Sequence, residues 1–291
     1  MMGIREIFAL FRLCDIEGGA ILKIRSPLIW FGGKSKYADL IISKMPVHKK
    51  YVEVFGGAAH VIVQKPRVNH EVYNDIDGNL VNFIMTARDN YKALMTACES
   101  LPYSRELYER WKKEKMPLDP FEKAVRFFYL NRCGISRGNV DEVPKTGWRH
   151  STKSGQNPAN GYLAACQLIE KFTERMKGVM IENEDFRKVI TKYDDIDTVF
   201  YVDPPYVGRE KYYAGGFTEK DHIDLAELLN KVKAKVVLSY YEDPLINDLY
   251  TSWRKDSFET YKQVVGGSNL GGTAEELLFM NYDDGQLSLF D

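Results

Sequence analysis

The chain has 291 residues, enough for one large or two ordinary domains with a substantial core. Apolar residues make up 44% and charged residues 28%, the composition of a folded chain rather than a disordered one. A net charge of −1 does not announce a polyanionic partner, no apolar run reaches the roughly eighteen residues a membrane span needs, and Ile7-Phe-Ala-Leu-Phe11 is too short for a secretory signal core.

Residues 1–22 read as an extension before the fold. Helical spacing covers 37–45, then a strand at 51–55, a helix at 58–64, a strand at 71–74 and a helix at 80–98 follow, which is the opening of a doubly wound α/β sheet. The character changes over 99–178, where helices at 105–115, 121–132 and 162–177 surround a loop-rich stretch, 133–160. The α/β pattern resumes with strands at 179–182 and 199–202, a helix at 219–231, and strands at 235–240 and 277–282. The expected fold class is α/β, with a discontinuous sheet domain at 23–98 and 179–285, a mostly helical insert at 99–178 and a tail peptide at 286–291. Between Lys123 and Lys153 seven Lys/Arg face two acidic residues, a local +5 that leaves −6 for the remainder. Such a patch suits nucleic acid, although a solvated basic face reads the same way. Four widely spaced cysteines, Cys14, Cys98, Cys133 and Cys166, form no ligand-like cluster, which argues against a metal and against a disulfide framework and for reduced thiols in a cytoplasmic protein.

Asp203-Pro204-Pro205-Tyr206 directly follows the apolar run 198–202. Asp203 therefore stands at the carboxyl end of a buried strand, where open α/β sheets bind ligands. The prolines hold the backbone extended and remove two N–H donors, leaving carbonyls that only accept. A carboxylate, a carbonyl and a ring beside them suit a planar amino group, which donates one hydrogen to each acceptor and lies on Tyr206. A strand closed by a plain Pro-Pro turn is the competing reading.

Tyr51-Val-Glu53-Val-Phe55-Gly-Gly57-Ala-Ala59-His60 carries a strand into a small-residue turn that lets a ligand approach backbone N–H groups. It matches neither G-x-G-x-x-G nor a P-loop. Glu53 needs a partner, and a ligand ammonium would serve. Asp75, after the next strand, suits a ribose diol, or equally a helix cap. Asp185 after 179–182 could accept from an adenine amino group, with Phe186 packing the ring. Trp30-Phe-Gly32-Gly33-Lys34 reads as a carboxylate-binding corner or an ordinary loop.

In this order the elements resemble the Dam-like (D12 class) DNA adenine-N6 methyltransferases over roughly residues 27–282. Trp30-Phe-Gly-Gly-Lys34 resembles that family's Trp-x-Gly-Gly-Lys element and Glu53-Val-Phe-Gly-Gly57 its Glu-Pro-Phe-x-Gly-x-Gly loop. Asn74-Asp-Ile-Asp77 and Glu184-Asp-Phe186 resemble its Asp-Ile-Asn and Gly-Asp-Phe elements. The tetrad at 203–206 is unchanged, and Phe217-Thr-x-x-Asp-His222 and Glu276-Leu-Leu278 match later landmarks. Val54 and Ala59 depart from the loop's proline and second glycine; the alanine should reduce the loop's permissiveness without ending cofactor binding.

The resemblance implies a Rossmann-like S-adenosylmethionine-dependent methyltransferase sheet with an inserted target-recognition domain. It implies that Trp30, Gly32, Gly33, Lys34, Glu53, Phe55 and Gly57 enclose the methionine end of S-adenosylmethionine, that Asp75 holds the ribose, and that Asp185 and Phe186 hold the adenine. The target adenine would be flipped out of double-stranded DNA onto Asp203, Pro204, Pro205 and Tyr206, with Phe217 a weaker candidate for its other face. Arg132, Arg137, Asn139, Lys145 and Arg149 are the candidate DNA contacts, Arg132 being as well suited to a structural pair. An RNA or protein-amide methyltransferase and a catalytically silent DNA-binding relative are the competing functions. Gln286-Leu287-Ser-Leu289-Phe290 resembles the bacterial sliding-clamp binding motif, unless the tail folds back on its own sheet. A monomer without metal, working in the cytoplasm of a bacterial or phage-infected cell, completes the expectation.

Overall fold

The computed structural model describes residues 23–135, 147–153, 155–261 and 273–283. A short helix α1 (Ala38–Lys44) leads into strands β1 (Lys50–Glu53) and β2 (His70–Asn74), followed by the long helix α2 (Gly78–Ser100). Three helices, α3 (Arg105–Lys113), α4 (Pro120–Cys133) and α5 (Pro158–Met176), precede β3 (Val179–Glu182), α6 (Phe186–Tyr193) and β4 (Thr198–Val202). A 3-10 turn (Glu210–Tyr212), α7 (Glu219–Leu229), β5 (Lys235–Tyr241), α8 (Pro244–Leu249), β6 (Arg254–Tyr261) and β7 (Thr273–Met280) complete the described elements.

The seven strands form one sheet in the order β3-β2-β1-β4-β5-β7-β6. β1 to β5 pair in parallel, whereas β7 runs antiparallel to both β5 and β6. Parallel strands covered on both faces read as unbroken apolar runs, and every residue of β4 is buried. The period-two alternation sends Tyr51, Tyr73, Val199, Tyr201 and Val237 to one face, where they join Phe83 of α2, Phe127 and Phe128 of α4 and Ile169 of α5. Val52, Val72, Phe200, Val202 and Val236 go to the other, against Val189 of α6, Leu225 of α7 and Ile246 of α8. The helices of 99–178 thus share a core with one face of the sheet; α4 and α5 both pack along α2.

Several expectations are corrected. Residues 58–64 form consecutive turns, not a helix. Gly57 at φ 48° and Ala59 at φ 59° are left-handed, which an α-helix does not admit. The Ile62 N–H is also taken by the Glu53 carboxyl at 2.8 Å. β6 was not anticipated: Arg-Lys-Asp-Ser-Phe-Glu lies at the sheet edge, where charge replaces apolar patterning. Its partner β7 begins four residues before the expected strand and ends two earlier. α6 and α8 were also unforeseen, being too short for periodicity to register. Helix α2 is interrupted at Asn90 (φ −150°, ψ 73°).

Candidate active site

The sheet order reverses between β1 and β4, and ligand crevices open at that point beyond the strands' carboxyl ends. Glu53 ends β1, Asp75 follows β2 and Asp203 follows β4, so three carboxyls from distant parts of the chain meet at one edge.

Glu53 is 2% exposed. Tyr51 lies two residues earlier on the same strand face, and its hydroxyl donates to Glu53 Oε2 at 2.8 Å. Burial pushes the carboxyl up to about 8, although the donors Tyr51 and Ile62 pull the other way. Asp75 Oδ2 accepts the Gly57 N–H at 2.7 Å and Oδ1 the Asp77 N–H at 2.9 Å. Burial raises it above the usual carboxylate range in spite of those bonds. The cap of α2 is Asp77, not Asp75, since Asp77 accepts from the N–H groups of Asn79 and Leu80. Asp75 instead braces the loop after β1. Tyr73 braces it as well, donating to the Gly57 carbonyl at 2.6 Å.

The loop needs its glycines for space. A Cβ on Gly57 would stand 2.8 Å from the Trp30 indole, and one on Gly56 would stand 2.1 Å from the Tyr73 ring. Trp30, Gly33, Lys34, Glu53, Phe55, Gly57, Asp75 and Asp203 line one cavity together with Pro205 and Tyr213. A second cavity adjoins it, sharing Gly33, Lys34 and Tyr213 and bounded by Gly32, Tyr206, Arg209, Tyr241 and Glu276.

Between the two cavities lies a buried ionic network. Lys34 Nζ donates to Asp203 Oδ1 at 2.8 Å, to Asp203 Oδ2 at 2.7 Å and to the Gly32 carbonyl at 2.9 Å. It also lies 3.2 Å from Glu276 Oε1. Burial alone would depress the ammonium, but Asp203 and Glu276 hold it well above its ordinary value. Tyr206 donates to Glu276 Oε1 at 2.6 Å and approaches Asp203 Oδ1 at 3.0 Å. Pro204 and Pro205 are buried, and Pro205 lines the first cavity beside the carboxylate. The ammonium of Lys34 is thus directed at the chain's own carboxylates rather than at open cavity.

Other sequence candidates fall elsewhere. Asp185 caps α6 through the Arg187 N–H and pairs with the Arg187 guanidinium at 3.0 Å; it is not among the residues that line the first cavity. Phe186 backs Phe55 at 5.6 Å between ring centroids. Phe217 packs on Phe55, Phe186 and His222, away from the Tyr206 cavity, so it does not face a base lying on Tyr206. Arg132 donates to the Gly161 carbonyl and Arg149 to the Gly134 carbonyl, and both line a separate open groove with His150 and Asn157. Arg137, Asn139 and Lys145, and the tail residues Gln286, Leu287, Leu289 and Phe290, lie outside the described residues.

Sequence reading missed Asn131, whose amide clasps Ile29 by two bonds of 2.9 and 2.7 Å and ties α4 to the Trp30 loop. It also gave Glu276 no role. Two glutamates stand side by side in β7, and only the sheet face separates exposed Glu275 from buried Glu276.

Residues 30–265 match the family model of the D12 class N6 adenine-specific DNA methyltransferases. The chain belongs to this family. The D12 match spans Trp30, Lys34, Glu53, Asp75 and Asp203, and the seven-stranded sheet is consistent with its Rossmann-like, S-adenosylmethionine-dependent methyltransferase fold. The chain is 26% identical over 268 residues to the retron Ec67 DNA adenine methylase of Escherichia coli, covering 86% of this chain and 89% of that protein. It is 26% identical to the DNA adenine methylase of Haemophilus influenzae, covering 79% and 84% of the two chains. Against the type II methyltransferase M1.LlaDCHI of Lactococcus lactis subsp. cremoris the identity is 25%, covering 87% and 94%. As a D12 enzyme the chain methylates the N6 position of adenine in DNA, with S-adenosylmethionine as methyl donor.

The first cavity fits that donor chemically. It holds two carboxyls raised by burial, groups suited to polar ends of a ligand, and Trp30 and Phe55 supply flat apolar walls.

Proposed function

We propose that the chain is a site-specific methyltransferase whose Asp203 grips the N6 amino group of an adenine flipped out of duplex DNA. The observation that carries this reading is the position of Asp203, a carboxylate 18% exposed that lines the first cavity and is held there by Lys34, which lines both cavities. S-adenosylmethionine, held by Glu53 at its ammonium, by Asp75 at its ribose and beside Trp30 and Phe55, supplies an electrophilic methyl group. An adenine amino group cannot be reached inside the base stack, so the base must leave it. The second cavity, walled by the rings of Phe31, Tyr206, Tyr213 and Tyr241, offers the aromatic surfaces a flipped base needs. Where that cavity meets the first, Asp203 accepts one amino hydrogen and the Pro204 carbonyl the other. These bonds favour a pyramidal nitrogen and return the lone pair that ring conjugation withholds. Asp203 need not be a strong base, because the nitrogen still carries both hydrogens and a positive charge once methylated, and one of them, now acidic, passes to the carboxylate. Rate enhancement then comes mainly from positioning and from charge already in place.

Asp185 and Phe186 are assigned to the adenine end of the donor, with Asp185 first having to share or release Arg187. Arg132, Arg137, Asn139, Lys145 and Arg149 are assigned to DNA, and the insert at 99–178 to target recognition. The tail 286–290 is proposed to dock on a replication clamp, which pull-down with and without residues 286–291 tests; equal retention sinks that assignment. No helix among the described residues is long and apolar enough to cross a membrane, and the cytoplasm of a bacterial or phage-infected cell is the proposed setting. Incubation with labelled S-adenosylmethionine and duplex DNA should yield N6-methyladenine at one sequence. Label on RNA or protein alone contradicts the reading.

A further inference from the structure

Glu276 opens the Glu-Leu-Leu landmark, past residue 265 where the family model's match ends, on a strand that runs against the others. Because β7 is antiparallel to β5, its early residues reach the carboxyl edge of the parallel strands; Glu276 stands opposite Tyr241, the last residue of β5. The carboxyl is buried at the back of the second cavity.

Lys34 and Tyr206 share two acceptors there, Asp203 and Glu276. Asp203 receives three donor contacts, two of them on Oδ1. A carboxylate oxygen offers about two lone-pair sites, so Oδ1 is filled only when the single Tyr206 hydroxyl hydrogen turns to it, and an arriving amino hydrogen then has to compete. The Tyr206 hydroxyl already favours Glu276, at 2.6 Å against 3.0 Å to Asp203. We propose that Glu276 is a positioning residue for methyl transfer: it retains the Tyr206 hydroxyl and shares the Lys34 ammonium, which releases Asp203 Oδ1 to the substrate amino group. The inference rests on the assignment of Asp203 made above.

Glu276→Gln keeps an acceptor for Tyr206 but removes the charge that shares Lys34, so Lys34 turns wholly to Asp203. Glu276→Ala removes both. The expected result is a fall in kcat of about tenfold for the amide and about a hundredfold for the alanine variant. KM for S-adenosylmethionine should move by less than about threefold, because the residue does not line the first cavity. The effect of Glu276→Gln should also shrink when Tyr206→Phe has already removed the hydroxyl, so the two losses do not multiply. A merely structural residue would lower thermal stability and leave the kcat losses multiplicative. The near-isosteric Gln variant keeps the test open should the Ala variant fail to fold. Wild-type kcat in Glu276→Gln, or multiplicative losses, overturns the proposal. Asp203→Ala measured alongside separates the two claims. Activity in that variant removes the Asp203 assignment itself, whereas its inactivity beside fully active Glu276 variants removes only the role of Glu276.

Discussion

Glu53 holds its proton at neutral pH because burial outweighs its two hydrogen bonds. Its folded value, about 8, lies above the ordinary carboxylate value of the unfolded chain. Its contribution to stability is therefore complete below the usual carboxylate range and is lost as pH rises through about 8. Glu53→Gln should flatten the dependence of Tm on pH across that window; an unchanged profile contradicts the assignment. Binding an ammonium-bearing donor requires the ionised form, so each molecule bound should release a proton. Affinity should then rise with pH towards about 8, by at most about tenfold per unit, and calorimetry in buffers of different ionisation enthalpy reads the proton directly. Ala59 is a second case at this scale. Its left-handed backbone costs ~1–2 kcal/mol, but its buried methyl contributes ~0.8 kcal/mol and glycine would lose ~0.5–1 kcal/mol in backbone entropy. The terms nearly cancel, so Ala59→Gly should change unfolding free energy by less than about 1 kcal/mol. The sequence showed the departure from the family's glycine but not the backbone sign that decides its cost.

At the scale of elements, legibility followed burial. β4 and β5 were readable because strands covered on both faces read as apolar runs, whereas β1 and β2 carry Glu53, Glu71 and Asn74 and were readable from their Val and Tyr residues and the turns that follow. Residues 58–64 were misread because Ala-Ala-His-Val-Ile-Val satisfies helical spacing, while the actual backbone answers to Glu53, Asp75 and two left-handed residues. Edge strand β6 was invisible for the opposite reason, its patterning being set by solvent and ion pairs such as Lys44–Asp256. The strand-end carboxylates were legible from position, but the Lys34–Asp203–Tyr206–Glu276 network was not, since it joins residues up to 242 positions apart through the sheet order. The loop after β1 gives a sharp prediction. Gly57→Ala places a methyl against the Trp30 indole in left-handed backbone, and donor binding measured by calorimetry should weaken at least about tenfold. Unchanged affinity would mean that the loop does not shape the donor site.

For the whole molecule, a net charge of −1 conceals a local +5 between Lys123 and Lys153. The groove lined by Arg132 and Arg149 belongs to the same side of the core as α2, α4 and α5, and the Asn131 clasp joins that side to the Trp30 loop. If these residues meet phosphates, KM for duplex DNA should climb steeply with salt while donor affinity measured without DNA stays nearly constant. The central claim, however, concerns Asp203. The measurement that tests it most directly is single-turnover transfer from labelled S-adenosylmethionine to duplex DNA by Asp203→Ala, with donor affinity determined on the same sample. Glu276 remains to pair the buried Lys34, so the variant should fold. The account predicts a loss of transfer of at least about a thousandfold that persists at saturating donor and so exceeds any change in donor affinity. Transfer at the wild-type rate would contradict it.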